Sequence, residues 1–225
     1  MKICLLVFAL MLAPLTSSAA LHDRGSGLIY DDILNVTWFQ NANFASSTIP
    51  YGMLDFNQAK SMVDAFSYTD PVSNVTYSDW RLPRVVDDSI PGCSFDPYGA
   101  TNCGLRYGAG EMAILFYVTL GNLGFYDALG NQGQFGWGLF NKGPFFGLQT
   151  GNYWYDNLNI SNPNEAWSFS FGFGIEYDSA PITDPRHLMI LRSGDVAVVP
   201  EPSSSVLCGF GFTLLAISSR AYRKN

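Results

Sequence analysis

The sequence predicts an α+β domain that is rich in strands and loops, and three observations support this. Charged residues make up only 14% of the chain and aromatic residues 15%, and there are 22 glycines. This composition is typical of a folded, turn-rich domain and not of a disordered chain. Aromatic and small residues alternate from Trp167 to Phe173, which predicts a strand with one aromatic face. Two separate stretches have helical patterning, so helices and strands are segregated.

Both predicted helices are short. The first begins after Asp55, an N-cap candidate that has Gln58 three residues later, the arrangement of a capping box. Apolar residues then recur at helical spacing: Phe56, Ala59, Met62, Val63 and Phe66. The second covers residues 111–120, and Gly121 stands where a left-handed C-terminal cap belongs.

The predicted strands are also short, and long loops join them. The strands are expected at residues 28–30, 36–39, 153–155, 167–173 and 187–191. The loops at residues 89–110 and 121–150 are rich in Gly, Asn, Pro and aromatic residues. Loops of this length are uncommon unless they are functional or tied down.

Residues 1–20 are typical of a secretory signal peptide. Lys2 supplies the positive start, residues 3–15 the apolar stretch, and Ser18-Ala19-Ala20 the small residues of a cleavage site. We expect signal peptidase to cleave after Ala20. A retained N-terminal helix is the less favoured alternative, because the small residues directly follow the apolar run.

Residues 199–225, at the C-terminal end, also differ in composition from the body. Pro200-Glu201-Pro202 precedes an apolar run at residues 206–217, and a basic cluster follows it: Arg220, Arg223 and Lys224. A bilayer-spanning helix needs roughly 17–25 apolar residues, so the run is marginal in length. The basic cluster would stay cytoplasmic. The pattern predicts a hydrophobic anchor helix that holds the chain in the inner membrane transiently.

The body between these termini is acidic. Without Lys2, Arg220, Arg223, Lys224 and Glu201, 8 basic and 18 acidic residues remain, a formal charge of −10. Nucleic-acid binding needs a basic surface that displaces counterions. The composition therefore excludes a nucleic-acid partner and disfavours anionic ones.

Cys93 and Cys103 are the two cysteines of the body, and they flank a loop rich in Gly, Pro and Asp. In an oxidising compartment, a disulfide between them is the expected pairing. A catalytic dithiol is less favoured, because no histidine lies nearby to activate a thiolate. The neighbouring acids Asp87, Asp88 and Asp96 are expected to form a solvated acidic loop.

Short motifs are distributed along the body: Asp23-Arg24-Gly25, Gly27-Leu28-Ile29-Tyr30-Asp31, Asn35 with Thr37-Trp38, Tyr77-Ser78-Asp79-Trp80-Arg81-Leu82-Pro83, Gly110-Glu111-Met112, Leu115-Phe116-Tyr117, Gly143-Pro144-Phe145, Tyr153-Trp154, Ala166-Trp167-Ser168-Phe169, and Arg192 with Gly194-Asp195-Val196. They resemble those of a family of exported bacterial domains similar to the C-terminal domain of the Legionella collagen-like adhesin. The resemblance covers about residues 21–196 and implies a C-type-lectin-like fold with two helices, short twisted antiparallel strands and long loops. Residues 187–192 depart from the family pattern, which has a tryptophan in the last strand. The family supplies no agreed catalytic residues.

The C-terminal segment resembles the PEP-CTERM sorting signal. Proteins with this signal are handled by an exosortase, which recognises the Pro-Glu-Pro motif, in Gram-negative bacteria that make extracellular polysaccharide. The resemblance implies that the chain is anchored in the inner membrane for a time and then reaches the cell surface or the extracellular matrix. The three expected segments are a signal peptide (1–20), an exported domain (21–196) and a sorting segment (199–225).

Three groups of residues in the body are candidate sites. Arg81 either donates to a sugar or carboxylate, or pairs with an internal acid beside a core Trp80; the second interpretation is favoured. Calcium is a candidate cofactor for a loop similar to the calcium-and-sugar loop of C-type lectins, formed by Asn162, Asn164, Glu165 and Asp156, although Asn-Pro-Asn is also an ordinary turn. Aromatic residues in the loops either stack on sugar rings or fill a loop-covered core: Tyr98, Tyr126 and Trp137, with Tyr107, Phe125 and Phe135.

Support for catalysis is thin. The chain has two histidines and no nucleophile elbow, zinc-spaced His/Cys set or phosphate-binding glycine loop. We therefore expect a non-enzymatic surface or matrix protein that binds or organises exopolysaccharide, in the manner of an adhesin or biofilm protein. A polysaccharide-acting enzyme and a purely structural surface protein are the alternatives.

Overall fold

The computed structural model describes residues 21–85, 110–127 and 129–196. The predicted signal peptide, the Cys93–Cys103 disulfide, Tyr98 and the whole sorting segment lie outside these ranges. The elements are β1 (Leu21–Asp23), β2 (Leu28–Asp31), β3 (Val36–Phe39), β4 (Met53–Leu54), α1 (Phe56–Asp64), β5 (Tyr68–Thr69), β6 (Thr76–Tyr77), α2 (Glu111–Ile114), β7 (Asn152–Leu158), β8 (Glu165–Ser170), β9 (Ile175–Pro181), β10 (Arg186–His187) and β11 (Leu191–Ser193). The α+β prediction is confirmed at this level, with sheets predominating. No helix within the described ranges has both the length and the hydropathy for crossing a bilayer.

Two larger sheets and one hairpin make up the strand framework. The four-stranded sheet has the order β1-β2-β3-β11, the five-stranded sheet has the order β4-β10-β7-β8-β9, and β5 pairs with β6. Among the named strands, the expected antiparallel pairing holds except between β10 and β7, which run parallel through His187 and Tyr153. β9 lies at one edge of this sheet, and the chain then crosses over β8 and β7 to place β10 on the far side of β7. β7, β9 and β10 therefore all run in the same direction.

Residues 187–191, predicted as one strand, divide between the two sheets. His187 ends β10 and Leu191 begins β11, and the three residues between them are buried completely. Leu188 and Ile190 contact the core around α1 and Trp154, whereas Met189 and Leu191 contact the core around Phe116 and Phe169. The apolar run therefore links two cores, and the prediction of one strand was wrong.

The predicted aromatic strand ends earlier than expected. β8 stops at Ser170, and Gly174 then closes a turn by donating its N–H to the Ser170 carbonyl at 2.7 Å. Gly174 has φ +67°, a left-handed conformation that favours glycine. Both faces of β8 are covered, because Ser168 and Ser170 are buried together with Trp167 and Phe169.

Both helices form where they were predicted. The Asp55 side chain accepts the Gln58 N–H at 2.8 Å, which satisfies one of the unpaired donors of the first turn of α1. α2 continues as a π-helical segment, Leu115–Thr119, in which the Leu120 N–H donates to the Leu115 carbonyl at 2.8 Å. Gly121 follows with φ +65°, as a left-handed C-terminal cap requires.

Candidate functional site

The long loop that follows α2 is tied down by side-chain hydrogen bonds. Asn122, which is buried, accepts the N–H groups of Phe140 and Asn141 at 3.1 and 2.8 Å and donates to the Asn141 carbonyl at 2.8 Å. The Gln134 amide donates to the carbonyls of Gly124 and Tyr126 at 2.6 and 2.8 Å. These bonds fix the backbone from which the aromatic side chains of the loop project.

Trp137 and Phe173 form a stacked pair at the surface. Their ring centroids lie 5.4 Å apart with an angle of 17° between the planes. Phe125 packs edge-on against both rings, at 5.0 Å from Trp137 and 5.6 Å from Phe173. The Phe125 N–H also donates to the Phe173 carbonyl at 2.8 Å, which holds the loop against the turn after β8. The pair is therefore a rigid aromatic platform.

An open cleft of about 350 Å³ lies against this platform. It is lined by Trp137, Gly138, Leu139, Phe140, Thr150, Gly172 and Phe173. Phe140 is 77% exposed, although phenylalanine side chains are usually buried. Its backbone N–H is nevertheless held by the Asn122 side chain. Three of its seven lining residues are aromatic, and we call it the aromatic cleft.

The wall of the aromatic cleft depends on the absence of a side chain at Gly172. A Cβ atom there would lie 2.6 Å from the Thr150 carbonyl oxygen, which is too close for any other residue. The turn after β8 consequently approaches the start of β7 through backbone alone. The polar groups of the lining residues are the Thr150 hydroxyl, the Trp137 indole N–H and backbone groups.

The structure separates the aromatic residues that the sequence grouped together. Trp137 lines the cleft, whereas Tyr126 packs edge-on against Phe125 at 5.2 Å and is absent from the lining. Sequence reasoning missed Phe140 and Thr150, and it assigned Phe173 to a strand. The available signal was the pair Gly172 and Gly174, which flank Phe173 and indicate a turn rather than a strand interior.

The predicted calcium loop is folded as a turn. The Asn159 side chain accepts the N–H groups of Ser161 and Asn162 at 2.7 and 3.2 Å, and the Asn162 side chain accepts the Asn164 N–H at 3.1 Å. Glu165 begins β8 and donates its N–H to the Asn162 carbonyl at 3.0 Å. Calcium binding stays a prediction for Asn162, Asn164 and Glu165.

Asp156, the fourth residue of the predicted calcium set, is engaged elsewhere. It lies on β7 and forms ion pairs with Lys60 and with Arg84, the latter at 3.4 Å. Both of its carboxylate oxygens are thus directed at cations. Among the described residues, no three or more His, Cys, Asp or Glu side chains are grouped as a metal site would need.

Arg81 pairs with an internal acid, as the favoured interpretation expected. Its guanidinium makes two 2.7 Å hydrogen bonds to the Glu111 carboxylate, which also accepts the Arg84 N–H at 2.7 Å. Trp80 is buried in the core beside it and donates to the Tyr77 carbonyl at 3.1 Å. Residues 80–83 therefore connect the edge of β11 to the start of α2, and their role is structural.

A buried carboxyl group that sequence reasoning missed lies near this ion pair. Glu176 is 1% exposed and accepts a 2.5 Å hydrogen bond from the Tyr155 hydroxyl. Burial raises the pKa of Glu176 to about 7, since an ionised carboxylate loses its hydration there. A Cβ atom at Gly110 would lie 1.7 Å from the Glu176 Oε1 atom, so the start of α2 seals this group from solvent on that side.

Searches of protein-family models, curated proteins and solved structures find no match to this chain. Support for a function therefore comes from the contacts, burial and charges of its own residues.

Proposed function

We propose that this chain is a non-enzymatic, exported protein of the cell surface or extracellular matrix that binds exopolysaccharide through the aromatic cleft. The stacked pair of Trp137 and Phe173, with the exposed Phe140 beside it, is the observation that carries the proposal. Soluble proteins seldom hold several aromatic rings at the surface of a rigid loop unless a ligand covers them.

Sugar rings fit such a cleft for a physical reason. The C–H bonds on one face of a pyranose carry a slight positive charge, and they pack favourably on the negative face of an aromatic ring. Hydroxyl groups at the edge of the sugar can meet the Thr150 hydroxyl and nearby backbone groups. The cleft is open at one side, so a polymer chain can lie across it without being threaded through.

The proposed route to the surface depends on the two termini. Signal peptidase would remove residues 1–20, and an exosortase would recognise Pro200-Glu201-Pro202 while the anchor segment holds the chain in the inner membrane. The C-type-lectin-like fold belongs to the same proposal. It is supported by the hairpin of β2 and β3 joined to the late strand β11, which brings the two ends of the domain together in one sheet.

A polysaccharide-acting enzyme is the alternative for which Glu176 provides the specific observation. Its pKa of about 7 suits a general acid, as in glycosidases that raise the pKa of one carboxyl group. Against this, Glu176 is buried, and among the described residues its hydrogen-bond partner is the Tyr155 hydroxyl rather than a second carboxylate. A structural role for Glu176 is therefore favoured.

The cleft can be tested with two variants and a matched control. We expect Phe140→Ala and Trp137→Ala to weaken binding of the host's exopolysaccharide at least about tenfold, because buried aromatic contacts dominate binding energies. Phe135→Ala removes a fully exposed phenyl ring from the same loop but outside the cleft, and binding should not change. Co-sedimentation of the full-length protein with the polymer, with and without calcium, measures the affinity.

Two results would contradict the proposal. One is the absence of binding by the wild-type protein in either buffer. The other is equal binding by Phe140→Ala and Phe135→Ala, which would place the polymer on another surface. Because the Phe140 ring is mostly exposed, its removal is expected to leave the thermal midpoint nearly unchanged, so a loss of binding would not reflect unfolding.

A further inference from the structure

We infer that the aromatic cleft takes an uncharged polysaccharide, one whose sugars carry hydroxyl groups but no carboxylate, sulfate or phosphate. The inference rests on the proposed function and adds the chemical class of the ligand. It is drawn from where the charges of the described residues lie. The lining of the cleft lacks the cationic groups that an anionic polymer would need, and most described cations are held in ion pairs.

The lining of the cleft contains no charged side chain. Aromatic rings, glycines, Leu139 and Thr150 form all of it. From Leu129 to Asn152, the loop and the start of β7 carry a single charged residue, Lys142. A surface of this composition stabilises a bound ligand through apolar contacts and hydrogen bonds to hydroxyl groups. These are the interactions that a neutral sugar offers.

The cations of the described residues are already committed elsewhere. Six of the seven are in ion pairs with carboxylates: Arg24 with Asp195, Lys60 and Arg84 with Asp156, Arg81 with Glu111, Arg186 with Asp184, and Arg192 with Asp79. Recognition of carboxylate or sulfate groups usually depends on Arg or Lys side chains that are free to donate. Within the described ranges, only Lys142 makes no such pair with a described carboxylate.

The overall charge opposes a polyanion as well. The body between the two termini carries a formal charge of −10, so a negatively charged polymer is repelled before it reaches the cleft. A neutral polymer experiences no such repulsion. Lys142, two residues after Phe140, is the one described cation placed to offset this field locally, and it therefore separates the two ligand classes experimentally.

The test uses the host's exopolysaccharide separated by anion exchange into a neutral fraction and a retained, anionic fraction. We expect the full-length protein to bind the neutral fraction at least about tenfold more tightly than the anionic one. Binding should change little between low and high salt, because no ion pair is formed. The Lys142→Gln variant should bind the neutral fraction as the wild-type protein does.

The possible outcomes separate this inference from the proposed function. Binding of the anionic fraction alone, or loss of binding in Lys142→Gln, would overturn the inference and leave the polysaccharide proposal standing. Failure of both fractions to bind would overturn the proposed function itself. Phe140→Ala belongs in the same experiment, since its loss of neutral-fraction binding assigns the interaction to the cleft.

Discussion

Replacing Glu111 by Gln is expected to lower the free energy of unfolding by about 3 kcal/mol. The Arg81 guanidinium and the Glu111 carboxylate are each 17% exposed and are joined by two 2.7 Å hydrogen bonds. The substitution leaves the arginine largely buried with no opposite charge, and an uncompensated buried charge is costly. Urea unfolding of the wild-type protein and the variant measures the difference.

Asp32→Asn is the matched control, because it makes the same carboxylate-to-amide change in an exposed pair. Asp32 contacts His22 at 3.0 Å where both side chains are more than two-fifths exposed. Exposed pairs contribute at most about 1 kcal/mol, so the control should behave almost as the wild type. Equal effects of the two substitutions would show that the Arg81–Glu111 pair does not join α2 to the sheet as described.

Glu176→Gln is expected to stabilise the protein at pH 8 by roughly 3 kcal/mol and to leave its stability at pH 4 nearly unchanged. The pKa of Glu176 is about 7 in the folded protein, against an ordinary value of 4.5. Below pH 4.5 the carboxyl group is protonated in both states. Between pH 4.5 and 7 the unfolded chain loses the proton first, so the free energy of unfolding of the wild-type protein falls as pH rises.

The measurement is a pair of unfolding curves at several pH values from 4 to 9. The difference between variant and wild type should grow from pH 4.5 to 7 and become constant above pH 7. Other titrating groups contribute equally to both proteins, so their pH dependence cancels in this difference. Asp70 is one such group, and its pKa is lowered to about 2 chiefly by a hydrogen bond from Ser73. A difference that is independent of pH would mean that Glu176 is not buried as a neutral acid.

Local signals in the sequence were sufficient to predict where the two helices lie. The N-cap at Asp55 and the left-handed cap at Gly121 each depend on a few adjacent residues, so spacing alone located them. The run at residues 187–191 was different, because a continuous apolar segment fits a strand buried on both faces as well as a link between two cores. Only the tertiary arrangement, with Leu188 and Met189 in different cores, distinguishes these cases.

The candidate site could be predicted only in part. Trp137 was recognised because it lies in a glycine-rich aromatic loop, but its partner Phe173 comes from a distant turn, and the pairing is a long-range contact that no local pattern encodes. Glu176 was missed for a related reason. In sequence it is one polar residue on a strand. Its raised pKa results from burial, to which the close approach of Gly110 contributes, and the hydrogen bond from the Tyr155 hydroxyl only partly opposes this effect.

Quenching of tryptophan fluorescence by acrylamide tests the aromatic cleft most directly. Of the five tryptophans, Trp38, Trp80, Trp154 and Trp167 are at most 4% exposed, whereas Trp137 is only partly buried, so quenching should report mainly on Trp137. We expect host exopolysaccharide to reduce quenching of the wild-type protein and to leave Trp137→Phe unaffected, because a sugar on the platform shields that ring. Polymer that binds in sedimentation yet leaves quenching unchanged would contradict the assignment of the binding site to this cleft.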